Sequence, residues 1–277
     1  MKSYFFIYCM VLVTSVLCNK AVFAQRTIYH LPQYNTIGRE KLTDKDFKFN
    51  GSIYHQINDT LYASMYEVTN KEYSDFLSNL LPYQYEECAI DSSQWNKKFP
   101  NSYNVPMSTH YHTHSAFSYY PVVNVPYSGA AMYCKWLSGK YKRLLKKPAI
   151  EFRLPTENEW MLLAGYDTVT GLPNNLQTMN LFGPCYMANY KPVINDTVAY
   201  PVDGGFFTIR VDAYVQQGNG FYNIIGNAAE MTSVDGVSKG GGWDSYIENC
   251  SFEKSETYSY PDPRVGFRVF AVIKKHD

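Results

Sequence analysis

The chain has 277 residues, 25 basic and 25 acidic side chains, a formal net charge of zero and a pI near 7.0. No basic run or stripe breaks that balance, which argues against nucleic acid as a partner. No phosphate-cradling GxGxxG loop occurs, and no nucleophile elbow is visible.

The first residues read as an export signal. Lys2 gives a positive start, Tyr4 to Leu17 is an apolar run, and Val22-Phe23-Ala24 places small residues at the −3 and −1 positions. This pattern predicts a signal peptide over 1–24, cut after Ala24, and a single domain over 25–277. The apolar run is shorter than the roughly 20 residues of a spanning helix, so no transmembrane segment is expected. Cys18 follows Leu17, where lipid attachment prefers a small residue, which argues against a lipid anchor there. The expected location is therefore outside the cytoplasm, periplasmic or associated with the outer membrane. Cys88, Cys134, Cys185 and Cys250 would enter a compartment that permits disulfides. Four cysteines allow three pairings, among which the sequence does not choose. None has the CxxC spacing of a structural zinc site. Tyrosine is the most abundant aromatic, with 26 copies, and suits either a Tyr-rich core and rim or a Tyr-lined binding face.

Residues 25–64 read as entry strands and loops. Thr69 and Glu72 form a T-x-x-E capping box that starts a helix. Tyr73, Phe76, Leu77 and Leu80 then supply one apolar stripe, and Pro82 helps to end it. Residues 83–120 read as a long irregular region. A second helix is predicted over about 128–141, with Ala131, Cys134 and Leu137 on one side and Trp136 beside them. Phe152-Arg153-Leu154 reads as a short strand feeding a third helix, capped by Thr156 and Glu159. Glu157 and Glu159 lie where the helix dipole favours negative charge. Beyond Gly171, frequent Gly, Pro and Asn predict short strands and loops. The class is α+β and loop-rich, with little regular secondary structure. His110, His112 and His114 alternate, so on a strand they would share one face and could hold zinc or iron; in a polar loop they would be incidental.

Several motifs in a fixed order carry a resemblance. These are YEVTNKEYSDFL (66–77), YPVVNVPYSGAAMYCKW (120–136), RLPTENEW (153–160), GFYNIIGNAAEM (220–231), KGGGW (239–243) and GFRV (266–269). Together they resemble the formylglycine-generating-enzyme, or sulfatase-modifying-factor, family across nearly the whole mature chain. The resemblance implies that family's C-type-lectin-like fold and its loop-holding calcium ions. Calcium takes roughly six to eight hard oxygens. By that likeness one site would use the side chains of Asn223 and Glu230 with the carbonyls of Gly226 and Ala228. The other would use the side chains of Asn189 and Asp203 with the carbonyls of Tyr190 and Gly205.

The same resemblance implies where an active site would lie. The family's enzymes hold copper(I) between two cysteines five residues apart, just after the R-G-G-S motif. Bound copper activates oxygen, and a substrate cysteine becomes formylglycine. Here those positions are Ser245 and Cys250. A hydroxyl is not the soft ligand that copper(I) requires, so the pattern argues against copper. Cys250 alone is open to three readings: a buried apolar residue, half of a disulfide, or a nucleophile with Lys254 nearby. The segment from Asp91 to Val123 and GNAAEMTS further resemble the gliding-motility and type IX secretion lipoproteins of Bacteroidetes, which carry this fold without the copper pair. The resulting expectation is a non-catalytic assembly or interaction module of the cell envelope with protein partners. The alternatives are a copper-dependent formylglycine-generating oxidase acting on sulfatase cysteine and, on fold analogy alone, carbohydrate binding.

Overall fold

The computed structural model describes residues 45–102, 105–145, 150–165, 188–191, 193–194, 196–198, 205–214, 216, 220–259 and 261–274. The predicted signal peptide, Cys18, Cys185 and Asp203 lie outside these residues.

Three strands open the described chain: β1 (Asp46–Phe49), β2 (Ser52–Gln56) and β3 (Leu61–Ser64). Asn50 and Gly51 take positive φ between β1 and β2, as a two-residue hairpin turn requires. Helix α1 (Asn70–Leu77) starts at the predicted capping box: Thr69 accepts from the Glu72 amide, and the Glu72 carboxylate takes the Thr69 N–H at 2.9 Å. Tyr73 and Phe76 are fully buried. The helix stops before Leu80, and Pro82 does not close it but begins the next one, where its missing N–H costs nothing.

The region 83–120 is more ordered than its sequence suggests. It holds three short helices, α2 (Pro82–Cys88), α3 (Gln94–Lys98) and α4 (Val105–His110), and a 3₁₀ turn at Ser115–Phe117. Each helix buries a single residue, Cys88, Trp95 and Met107 in turn, which gives no periodic signal. They persist because Trp95, Met107 and Tyr111 insert into a cluster with Val123, Ala228 and Trp243.

Helix α5 (Tyr127–Leu145) is longer than predicted at both ends. Its buried stripe is Ala130, Tyr133, Cys134 and Leu137, whereas Ala131 is exposed. Strand β4 (Ile150–Arg153) and helix α6 (Glu157–Leu163) follow, the second capped by Thr156 and Glu159 as predicted. Arg153 clamps the same carboxylate through both terminal nitrogens, at 2.7 and 2.6 Å. Among the described residues after α6 the elements are short strands: β5 (Val193–Ile194), β6 (Thr197–Val198), β7 (Ala229–Met231), β8 (Val237–Lys239), β9 (Ser255–Thr257), β10 (Val265–Gly266) and β11 (Phe270–Ile273).

Strand β11 lies between β3 and β4, antiparallel to both, in a five-stranded sheet of order β1-β2-β3-β11-β4. A second sheet has the order β10-β7-β8-β9, with β10 parallel to β7. The main core joins α1 and α5 to the first sheet through Tyr73, Phe76, Tyr133 and Phe267, whose rings meet at 5.3–6.0 Å. Tyrosine is divided between core and surface: Tyr54, Tyr73, Tyr111 and Tyr133 are buried, while Tyr83, Tyr85, Tyr119 and Tyr246 are exposed. Among the described residues no helix is long and apolar enough to cross a membrane.

Candidate functional site

Where the two sheets and α6 meet, the interior is polar. Glu67, on the link from β3 to α1, is 1% exposed. It accepts from Asn227 Nδ2 at 2.9 Å and from Asn223 Nδ2 at 3.2 Å. Glu230, on β7, is fully buried and accepts three donors: Arg268 Nε at 2.8 Å, Arg268 Nη2 at 2.7 Å and Trp160 Nε1 at 2.8 Å. Arg268 also donates to the carbonyls of Ser64 and Tyr222, so one guanidinium ties β3, the 221–228 loop and β7 together. Burial, and secondarily the nearby Glu230, push the Glu67 carboxyl up to about 8 against the opposing pull of Arg268.

The 221–228 loop turns through three positive-φ residues, Asn223, Gly226 and Asn227. A glycine is needed at 226, because a Cβ there would lie 2.2 Å from the Asn189 carbonyl oxygen. That oxygen accepts the Asn227 amide at 2.7 Å, and Asn189 Nδ2 donates to the Phe207 carbonyl at 2.7 Å. Asn223 Nδ2 is spent on Glu67 and the carbonyls of Arg210 and Val211, while Asn223 Oδ1 is buried and meets no hydrogen-bond donor.

The glycine run lies beside this network. Gly241 has φ +68, and a Cβ there would lie 2.6 Å from Cys250 Sγ. Ser245 Oγ accepts the Gly242 amide at 3.0 Å and donates to Glu256 at 3.4 Å. The Cys250 thiol is 6% exposed. Burial pushes its pKa up to about 12, and the carboxylates of Glu256 and Glu248 add to the shift. Lys239 is buried under Trp160 and caps the carbonyls of Glu253 and Lys254, which fixes the return of the chain to β9.

Residues 54–273 match the Sulfatase-modifying factor enzyme 1-like domain. The chain belongs to that family. Over 210 residues it is 29% identical to the formylglycine-generating enzyme of Bos taurus, covering 63% of this chain and 49% of that protein. Over 123 residues it is 35% identical to the formylglycine-generating enzyme of Mus musculus, covering 42% of this chain and 27% of that protein. The aligned part of this chain thus spans about half or less of these relatives. Among solved structures, Treponema denticola variable protein 1 aligns over 84% of this chain and all of its own (TM-score 0.52, 17% identity). PvdO from Pseudomonas aeruginosa aligns over 77% of this chain and 80% of its own (TM-score 0.51, 15% identity). Both show the same fold.

The predicted oxygen ligands of this sulfatase-modifying-factor domain are partly brought together. Asn223, Gly226, Ala228 and Glu230 lie on one buried loop and strand, and Asn189 is stitched to the same loop through Asn227. Tyr190 follows Asn189 directly, and Gly205 packs against Asn189 Oδ1. Ser245 and Cys250 are neighbours, with Cys250 Sγ 3.9 Å from the Ser245 carbonyl oxygen. Of the three open readings of Cys250, the structure gives the buried, protonated thiol, and the charges acting on it are acidic rather than Lys254. Cys88, Cys134 and Cys250 are each free and buried, so no disulfide pairs them with one another.

The three histidines do not share a face. They span the end of α4 and a turn, not a strand. His112 turns inward, its Nδ1 bonded to Asn70 Oδ1 at 3.0 Å, and burial lowers its pKa to about 3. His110 and His114 stay outside, with ring centres 6.3 Å apart.

Sequence reasoning missed Glu67, Asn227, Arg268 and Trp160 as partners of the site. A signal was present in Arg268. An arginine within VGFRVFAV, flanked by apolar residues on both sides, has to be paired if that strand is buried.

Proposed function

We propose that this chain is an exported, non-catalytic member of the sulfatase-modifying-factor family that binds other proteins of the cell envelope, with calcium holding its loops. One observation carries the loss of oxidase activity. At the two positions where the family's enzymes present thiols, Ser245 is engaged as a backbone clamp on Gly242, and Cys250 is a protonated thiol facing a glycine backbone. The family's copper(I) site needs two soft sulfur ligands and Ser245 offers only a hydroxyl oxygen, so this pair does not fit it.

Calcium fits better. Asn223 Oδ1 is a hard oxygen, buried and unclaimed. Two buried carboxyls, Glu67 and Glu230, lie near one guanidinium, Arg268, which pairs with Glu230; ionised Glu67 would need a cation to balance it, and its raised pKa of about 8 makes a proton the alternative. Asn223, Gly226, Ala228 and Glu230 would hold the ion, and it would cross-link a loop that has almost no regular structure. Asn189, Tyr190 and Gly205 would serve a second ion with Asp203.

The envelope role rests on the likeness of residues 91–123 and GNAAEMTS to the gliding and type IX secretion branch. The exposed rings of Tyr83, Tyr85, Tyr119 and Tyr246 support it, since aromatic residues are enriched where proteins meet. The competing reading is a formylglycine-generating oxidase, favoured by the name of the bovine and mouse relatives and by retention of Cys250. Copper(I) titration separates the two. The proposal expects no tight site, and one-to-one binding abolished by Cys250→Ala would overturn it. Affinity purification from native envelope should recover secretion or gliding components; recovery of sulfatases alone would favour the oxidase.

A further inference from the structure

We propose that His110 and His114 form a surface chelate for a divalent transition metal such as zinc or copper(II), separate from the oxygen-rich loops. The two residues are four apart, and the His114 amide donates to the His110 carbonyl at 2.9 Å, so a single turn follows α4 and ends at His114, whose own backbone is extended; the turn brings the two rings to the same side, as their separation shows. Both are exposed, and their rings stand 6.3 Å apart at a 74° angle. A zinc–nitrogen bond of about 2.0–2.1 Å sets each ring centre about 3 Å from the ion, so two rings on one tetrahedral ion stand roughly 5 Å apart. Small side-chain rotations close that difference. Histidines at i and i+4 on one helical face are a spacing that lets two imidazoles reach one zinc ion.

The chemistry differs from that of the Asn223 loop. Imidazole nitrogen suits zinc and copper(II), whereas calcium selects hard oxygen. His112 takes no part, because its Nδ1 is committed to Asn70 and its Nε2 is buried. With only two protein ligands the ion keeps open positions for water or for a side chain of a bound partner. One local bond opposes the ion. The Ala116 amide donates to His114 Nδ1 at 3.2 Å, which puts the ring proton on Nε2. Ligation through Nε2 moves that proton to Nδ1 and releases Ala116, so metal and cap compete.

Competition of this kind gives a specific readout. Zinc titrated calorimetrically into the purified full chain should bind one equivalent at this pair. Binding should weaken at least tenfold in His110→Ala and in His114→Ala and stay unchanged in His112→Asn. In the unaltered protein, zinc should speed hydrogen exchange at the Ala116 amide. Copper(II) spectra should show two nitrogen ligands in the wild type and one in either alanine variant. Absence of zinc binding, binding undiminished in the His110→Ala/His114→Ala double variant, or an Ala116 amide indifferent to zinc would each overturn the assignment. None of these results bears on the copper(I) question at Cys250.

Discussion

Arg268 and Glu230 form an ion pair at 2.7 Å in which both side chains are at most 1% exposed. A guanidinium carries five donors in a fixed fork, and here it reaches a carboxylate on β7, a carbonyl at the end of β3 and a carbonyl of the 221–228 loop. The pair therefore fastens the site loop to both sheets. Two oxygens of the Glu230 carboxylate are held by Arg268 and Trp160 together, so β7, and Ala228 just before it, cannot shift without breaking a buried charge pair.

Breaking that pair from one side should be severe. Arg268→Met would leave Glu230 and Glu67 buried with no cation beside them. Such one-sided removals cost about 3–5 kcal/mol. Urea unfolding should show a loss in that range, and the double variant Arg268→Met/Glu230→Gln should recover part of it. A loss below about 1 kcal/mol for the single variant would show that water already reaches the pair.

A pH effect follows from His112. Its pKa falls from 6.5 in the unfolded chain to about 3 in the fold, because burial disfavours the charged ring. Between those values the unfolded chain takes up a proton that the folded chain refuses. Stability from this group is therefore full above pH 6.5 and declines as pH drops toward 3, by up to about 1.4 kcal/mol per unit. His112→Asn keeps a donor for Asn70 Oδ1 but does not titrate there. The difference in stability between wild type and His112→Asn should shift steadily in the variant's favour as pH falls from 6.5. A difference constant with pH would count against a buried neutral ring.

How much of this was legible in the sequence depended on the range of the forces involved. Both T-x-x-E caps are local, and both formed as read at Thr69 and Thr156. Helix α5 has enough turns for its periodicity to register, although its stripe was placed one residue off at Ala131. The helices between Pro82 and His110 were invisible because each is only five to seven residues long and is held by distant partners, as Trp95 is by Trp243 and Phe207. The motifs located Asn223 and Glu230, but they could not say that Glu67, 156 residues earlier than Asn223, would share their cluster.

The glycine run makes a sharper prediction. At Gly241 the backbone has φ +68, and a methyl group would meet Cys250 Sγ at 2.6 Å and Cys250 Cα at 3.1 Å. Gly241→Ala should lose about 1–2 kcal/mol for the left-handed conformation and more for the clash. In a Cys250→Ala background the clash with sulfur disappears and only part of the loss should remain. Equal losses in both backgrounds would mean that the loop moves aside and the contact with Cys250 is not constraining.

Calcium should reveal itself through Asn223. An ion that binds only the folded chain stabilises it by about 2.7 kcal/mol at 100 times its dissociation constant. Melting temperature should therefore rise when calcium replaces a chelator. Asn223→Ala would lose the bond from Asn223 Nδ2 to Glu67 and melt earlier in both conditions, so the informative quantity is the calcium-dependent shift and not the melting point itself. That shift should vanish in Asn223→Ala and survive in Asn223→Asp, which retains a hard oxygen at the same place. Zinc should not reproduce it, because the Asn223 loop offers oxygens and no imidazole. A wild-type melting temperature identical in calcium and in chelator would mean that the uncompensated charge is neutralised by a proton on Glu67, whose raised pKa of about 8 makes that the competing state.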